Sequence, residues 1–251
     1  MDEVPTTGDG LLMIHATVAL YLLVFVSFLA VFSLYPYITT ALPYRQRDNG
    51  LAYILLVLGM ALWNGMAIAQ LLSPRLEVKA FFLSLAIVGA LQAGLGWFLF
   101  AGTASSTPEV PYQRILYGGA AMLIGIDIVL AMTSPVHTVY WVLPEATSPG
   151  FAVIVPRPAY WLHTLLLVGL FAAGVILFGI AWREGVNVGY TRAYTLIGAL
   201  LVVAILASNV LTPGGLSVAP QLAFSLATIG WLQANRGGVQ RLLRSVAPGR
   251  R

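Results

Sequence analysis

The chain has 251 residues, 59% of them hydrophobic and 9% charged, with a formal net charge of +4 and no cysteine. A soluble domain carries about 25% charged residues, so these side chains cannot coat a surface for water, and the solvent they suit is lipid. Long unbroken apolar runs exclude a period-two barrel and specify helices, while the missing cysteines exclude disulfides, thiolate catalysis and cysteine-ligated metals.

Residues 1–10 are acidic, and no basic region precedes the first apolar run, so the start reads as an extracellular stretch followed by a retained helix. Seven spans follow at about 11–35, 51–72, 79–101, 114–132, 159–182, 193–211 and 217–234. Turn residues mark the gaps, among them Pro43, Pro74, Pro111, Gly185 and Pro213. The longest gap, 134–158, holds Tyr140, Trp141 and Phe151 and reads as an interfacial cap over the bundle. Residues 235–251 form a basic, partly amphipathic tail suited to anionic lipid or to a partner helix, or simply to anchoring.

The expected fold is an all-α membrane protein, a seven-transmembrane-helix bundle spanning residues 11–234 in the plasma membrane. The positive-inside rule orients it. With the N-terminus outside, ten of the 13 basic residues fall on the cytoplasmic side, where the C-terminus then lies; Arg75, Lys79 and Arg157 fall outside. Topology thus accounts for the basic charge, and nucleic acid is not an expected partner.

Polar groups within lipid are costly and draw functional hypotheses. In this orientation they collect in the outer half. Asn64 and Gln70 sit in the second span, Asp127 about 8 Å below the outer end of the fourth, His163 at the start of the fifth, Asn209 at the end of the sixth and Gln221 at the start of the seventh. His15 lies near the outer end of the first span and Gln92 near the middle of the third. An outward-facing polar cavity is therefore expected, with Asp127 as its buried acid and Arg157 or His163 as the partner. The competing reading of Asp127 is a protonated carboxyl donating to a backbone carbonyl. For Asn64 and Asn209 it is an interhelical hydrogen bond, and for the histidines ordinary accommodation near helix ends.

Several segments together resemble a known family. Trp63 to Phe81 reads W-N-G-M-A-I-A-Q-L-L-S-P-R-L-E-V-K-A-F, Thr133 to Trp141 reads T-S-P-V-H-T-V-Y-W, and Arg157 to His163 reads R-P-A-Y-W-L-H. A-S-N-V-L-T-P-G-G-L-S-V-A-P then leads to the last span. The ordered set resembles the N-terminal seven-helix sensor domain of archaeal and bacterial histidine kinases. His137 and His163 match that family's histidines, and Trp141 and Trp161 its aromatics; Ser134 replaces the usual Asn, and Leu166 and Leu167 stand where a Tyr is frequent.

The resemblance implies a sensor or receptor module that detects a small ligand or a membrane state from outside and signals to a cytoplasmic kinase or other partner, with a homodimer as the expected assembly. No kinase domain is in the chain, which implies either a stand-alone sensor or the input half of a kinase. Asp127, His137, His163, Trp141, Asn64 and Asn209 are the candidate ligand-binding residues. No catalytic residue, metal site or cofactor is expected. Retinal is excluded because the last span has no lysine for a Schiff base, the sole lysine being Lys79. The alternative reading is a small-solute transporter or channel. The glycines from Gly89 to Gly96 allow close helix packing.

Overall fold

The computed structural model describes residues 7–34, 48–104, 113–142, 154–186, 188–211, 213 and 218–234. These form seven α-helices: α1 (Thr7–Phe32), α2 (Asp48–Leu72), α3 (Leu76–Ala104), α4 (Gln113–His137), α5 (Pro158–Arg183), α6 (Val188–Leu211) and α7 (Ala219–Ala234). Between α4 and α5 lie two short strands, β1 (Trp141–Val142) and β2 (Val155–Pro156), paired antiparallel with Trp141 opposite Pro156. Phe151, the basic tail and the first ten residues apart from Thr7 to Gly10 lie outside the described residues.

Every expected span is a helix. Four are long and apolar enough to cross a bilayer, over Gly50–Leu72, Leu76–Thr103, Pro158–Arg183 and Val188–Leu211, while α1 and α4 carry shorter apolar stretches, Val18–Phe32 and Ala121–Ser134. The main difference is in α4, which runs past the expected end at 132 to His137, straight through Pro135. Proline has no N–H, so the carbonyl four residues earlier, that of Ala131, loses its helical donor. The Ser84 hydroxyl of α3 lies 3.1 Å from that oxygen and supplies one. Sequence spacing reads Pro135 as a helix stop; the neighbouring helix makes it a tolerated interior residue, as bundles in lipid require.

Lipid is as apolar as leucine, so helices in it associate through close fit and hydrogen bonds more than through burial. The α2–α3 pair shows the fit. A Cβ on Gly59 would strike the Ala93 backbone, one on Gly89 the Trp63 backbone and one on Gly96 the Leu56 backbone. The centre of the bundle is Trp97 of α3, fully buried. Its ring packs on Phe171 and Phe178 of α5, Tyr194 of α6 and Phe224 of α7. Its Nε1–H donates to the Phe171 carbonyl at 3.0 Å. Gly174 leaves the room for that indole, since a Cβ there would overlap Nε1. One residue thus ties four helices together.

Helix α4 is the least enclosed of the bundle's core-forming neighbours. It leans on α3 and meets α5 only sparsely, with Ile124 joining Leu91 and Leu170 in a small cluster. The ends of α2 and α4, the starts of α3 and α5, and the paired strands share one face of the bundle, called the cap face below.

Candidate functional site

The cap is built by a chain reversal after α4. Thr138 takes a left-handed backbone, φ 53°, which turns the chain back on itself. His137 holds the turn, with Nε2 2.9 Å from Thr133 Oγ1 and Nδ1 accepting the Val139 N–H at 3.1 Å. The reversal is pinned to the start of α5, where the Arg157 N–H donates to the Tyr140 carbonyl at 3.0 Å and the Ala159 N–H to the Val139 carbonyl at 3.4 Å. Tyr140 and Trp141 are thereby pressed into a buried cluster with Leu83 and Ile87 of α3, Ala131 of α4, and Ala159 and Tyr160 of α5. The described parts of this segment, 138–142 and 154–157, lie over α3, α4 and α5.

Beneath the cap, Asp127 of α4 meets His163 of α5, with Oδ2 and Nδ1 2.6 Å apart. Their side chains are only 10% and 4% exposed, a setting in which neither polar group has water to fall back on. Tyr140 completes the cluster from above. Its hydroxyl lies 3.2 Å from Oδ1 and 3.3 Å from Oδ2 of Asp127 and donates to that carboxylate. Burial, then the adjacent Asp127 charge, push the Tyr140 hydroxyl well above its ordinary value, so it stays protonated and remains a donor. Its ring centroid is 5.8 Å from that of His163 and 5.0 Å from that of Trp141, the latter edge-on at 79°.

Of the two partners expected for Asp127, His163 is the one in contact; Arg157 contributes its backbone to the cap. Trp141 lies one residue from the cluster and packs on it. His137 serves the turn, and no contact joins it to Asp127 among the described residues. Asn64 sits elsewhere. It is fully buried on α2 and accepts the Ser27 hydroxyl of α1 at 2.9 Å. Ser27 also lies 3.4 Å from the Val218 carbonyl, at the start of α7, so this group joins α1, α2 and α7. Asn209 offers its backbone carbonyl to the Tyr160 hydroxyl at 3.4 Å. Sequence reasoning missed Tyr140 as a member of the site. The available signal was a tyrosine, an aromatic with a polar tip, between His137 and Trp141; its contact with Asp127 depends on the reversal at Thr138.

Below the cluster α4 and α5 diverge, leaving a groove of about 730 Å3. Phe98 of α3 forms its floor, Leu123 and Ile126 one wall, Leu165 and Leu166 the other, and among the described residues Asp127 is the only ionisable side chain on its lining. Leu123 is 56% and Leu165 68% exposed, so at membrane depth the groove opens to lipid. The arrangement can hold a polar group beside an apolar one. It offers one buried acid–base pair, a tyrosine donor and an apolar slot, and no group of three or more metal-ligating His, Asp or Glu occurs among the described residues.

A family model described as the N-terminal 7TM region of histidine kinase matches residues 19–232. Comparison with curated proteins and with solved structures gave no match. The match begins inside α1, ends inside α7 and takes in the whole cap and both partners of the buried pair. The chain therefore belongs to the N-terminal seven-transmembrane sensor region of histidine kinases, the part without the catalytic domain, and is a multi-pass membrane protein with a sensor role.

Proposed function

We propose that the Asp127–His163–Tyr140 cluster is the input site of this sensor, and that a small ligand or a change in membrane state acting there is relayed to a cytoplasmic partner. The observation that carries this reading is the 2.6 Å contact between two nearly buried ionisable side chains on different helices. Ionisable groups at membrane depth are expensive and persist where they do work, and this pair spans α4 and α5, which otherwise touch little. Breaking or remaking one contact can therefore move α5.

The arginine distribution supports a cap face that is extracellular and a C-terminus that is cytoplasmic. Arg192 resting 5.6 Å over the Trp182 ring fits an interfacial anchor at the opposite face. The relay runs along α5, whose Phe171 and Phe178 pack on Trp97, and from Trp97 to Phe224 of α7. A helix shift of about 1–2 Å is the scale such transmission needs. Trp141 and His137 act in this reading through the cap that covers the pair. Asn64 and Asn209 act through the junctions of α1, α2 and α7, and of α5 with α6.

The test joins the chain to the dimerisation and kinase domains of a histidine kinase and follows autophosphorylation in vesicles. Asp127→Ala, His163→Ala and Tyr140→Phe are each expected to shift the basal level several-fold. Wild-type levels from all three, at equal membrane expression, would remove the cluster from the input pathway.

A further inference from the structure

Taking the cluster as the input site, we infer that the groove between α4 and α5 binds a single-chain membrane amphiphile, its hydrocarbon tail in the slot and a hydroxyl head donating to Asp127. Three features of the groove select this class. Among the described residues the lining is apolar except at Asp127, which stands near the cap-face end beside Leu130 and Leu162, while Gly119 and Ala173 lie at the other end. A molecule that fits is therefore polar at one end only.

The groove's length matches the tail of a single-chain amphiphile. The rise from Gly119 to Leu130 is roughly 16 Å at 1.5 Å per residue, about half of the 30 Å hydrocarbon core and so the depth of one leaflet. A volume of about 730 Å3 along that length accommodates a flexible hydrocarbon chain. Glycine maintains the width, since a Cβ on Gly119 or on Gly169 would meet no atom within 4 Å.

The chemistry of Asp127 selects the head. A carboxylate offers about four acceptor positions. Tyr140 reaches both oxygens and His163 takes Oδ2, which leaves acceptor capacity on Oδ1. A group that donates a hydrogen bond satisfies it; an ester or ether head, which only accepts, does not. Occupancy then adds a donor to the carboxylate that Tyr140 and His163 share, which connects the groove to the cap and to α5.

The experiment uses the full chain in phosphatidylcholine vesicles with two photoactivatable probes, a diazirine-bearing hexadecanol and its methyl ether. The expected result is saturable labelling of α4 and α5 peptides by the alcohol, competed by plain hexadecanol. The ether should label about fivefold less, the loss that one net hydrogen bond gives. Gly169→Leu, which fills the slot without touching the cluster, should abolish saturable labelling while leaving thermal stability unchanged.

Unsaturable labelling spread equally over the lipid faces of α1 and α6, or equal labelling by alcohol and ether, would overturn the inference. So would disulfide trapping between cysteines introduced at 126 of one copy and 165 of another, which would put a second copy in the groove. The two claims fail separately. If Asp127→Asn changes kinase output but hexadecanol shows no saturable site, the ligand class is wrong and the input site stands. If hexadecanol binds as described but cluster variants leave output unchanged, the input reading is wrong and the binding site stands.

Discussion

Removing either partner of the buried pair should destabilise the bundle by an amount set by what is left behind. His163→Ala takes away a donor 2.6 Å from Oδ2 and leaves the Asp127 carboxyl 10% exposed with Tyr140 alone. Such one-sided removal from a buried pair costs on the order of 3 kcal/mol. The Tyr140 contacts, at 3.2 and 3.3 Å, are long for O–H···O bonds, which centre near 2.75 Å. They return about 1 kcal/mol at most.

Asp127→Leu, which removes the acid and fills its space, should cost less than His163→Ala, and the double variant Asp127→Leu/His163→Ala should cost less than the two single effects added together. The double-mutant cycle should therefore report a coupling of about 2 kcal/mol. Unfolding in mixed micelles, followed through the six tryptophans, measures each corner of the cycle. Additive effects, with a coupling below about 0.5 kcal/mol, would refute the view that the two side chains bear on each other.

Three further outcomes follow from other parts of the molecule. Ser84→Ala should cost about 1–2 kcal/mol by leaving the Ala131 carbonyl without a donor, and Pro135→Ala, which restores the helical N–H, should recover most of it; thermal melts of the single and double variants read this out. Gly174→Ala should destabilise by about 1–3 kcal/mol, because its new methyl displaces the Trp97 indole from the Phe171 carbonyl, and the tryptophan emission should shift with it. Thr138→Gly should stabilise the cap by up to about 1 kcal/mol, since a β-branched residue at φ 53° is strained where glycine is not. Slower amide exchange at Val139 and Tyr140 would show it.

Much of the architecture was legible because helix signals are local. Apolar runs of bilayer length, broken by proline and glycine, locate all seven helices, and depth places Asp127 level with both Arg157 and His163, of which the fold brings His163 into contact. The glycines from Gly89 to Gly96 likewise announce close packing of α3, without naming α2 as the partner of Gly89 and Gly96 or α5 as that of Gly94. Features that depend on a partner distant in sequence were not legible. The extension of α4 through Pro135 rests on a hydroxyl from α3. The entry of Tyr140 into the site rests on the reversal at Thr138, a conformation that threonine rarely adopts. Trp97 reads equally as a belt residue or as packing, and its role at the junction of four helices emerges only when α5, α6 and α7 close around it.

If the Asp127–His163 contact is the input, its state sets the position of α7 at the opposite face, and one distance measurement tests this. The chain has no cysteine, so cysteines placed at Glu184, beyond α5, and at Gln233, near the end of α7, are unique spin-labelling sites. Double electron–electron resonance in vesicles should show the Glu184–Gln233 distance distribution moving by about 1–2 Å when His163 is replaced by alanine. The same shift should be lost when Trp97→Phe is added. An unchanged distribution in the folded His163→Ala protein would contradict the account.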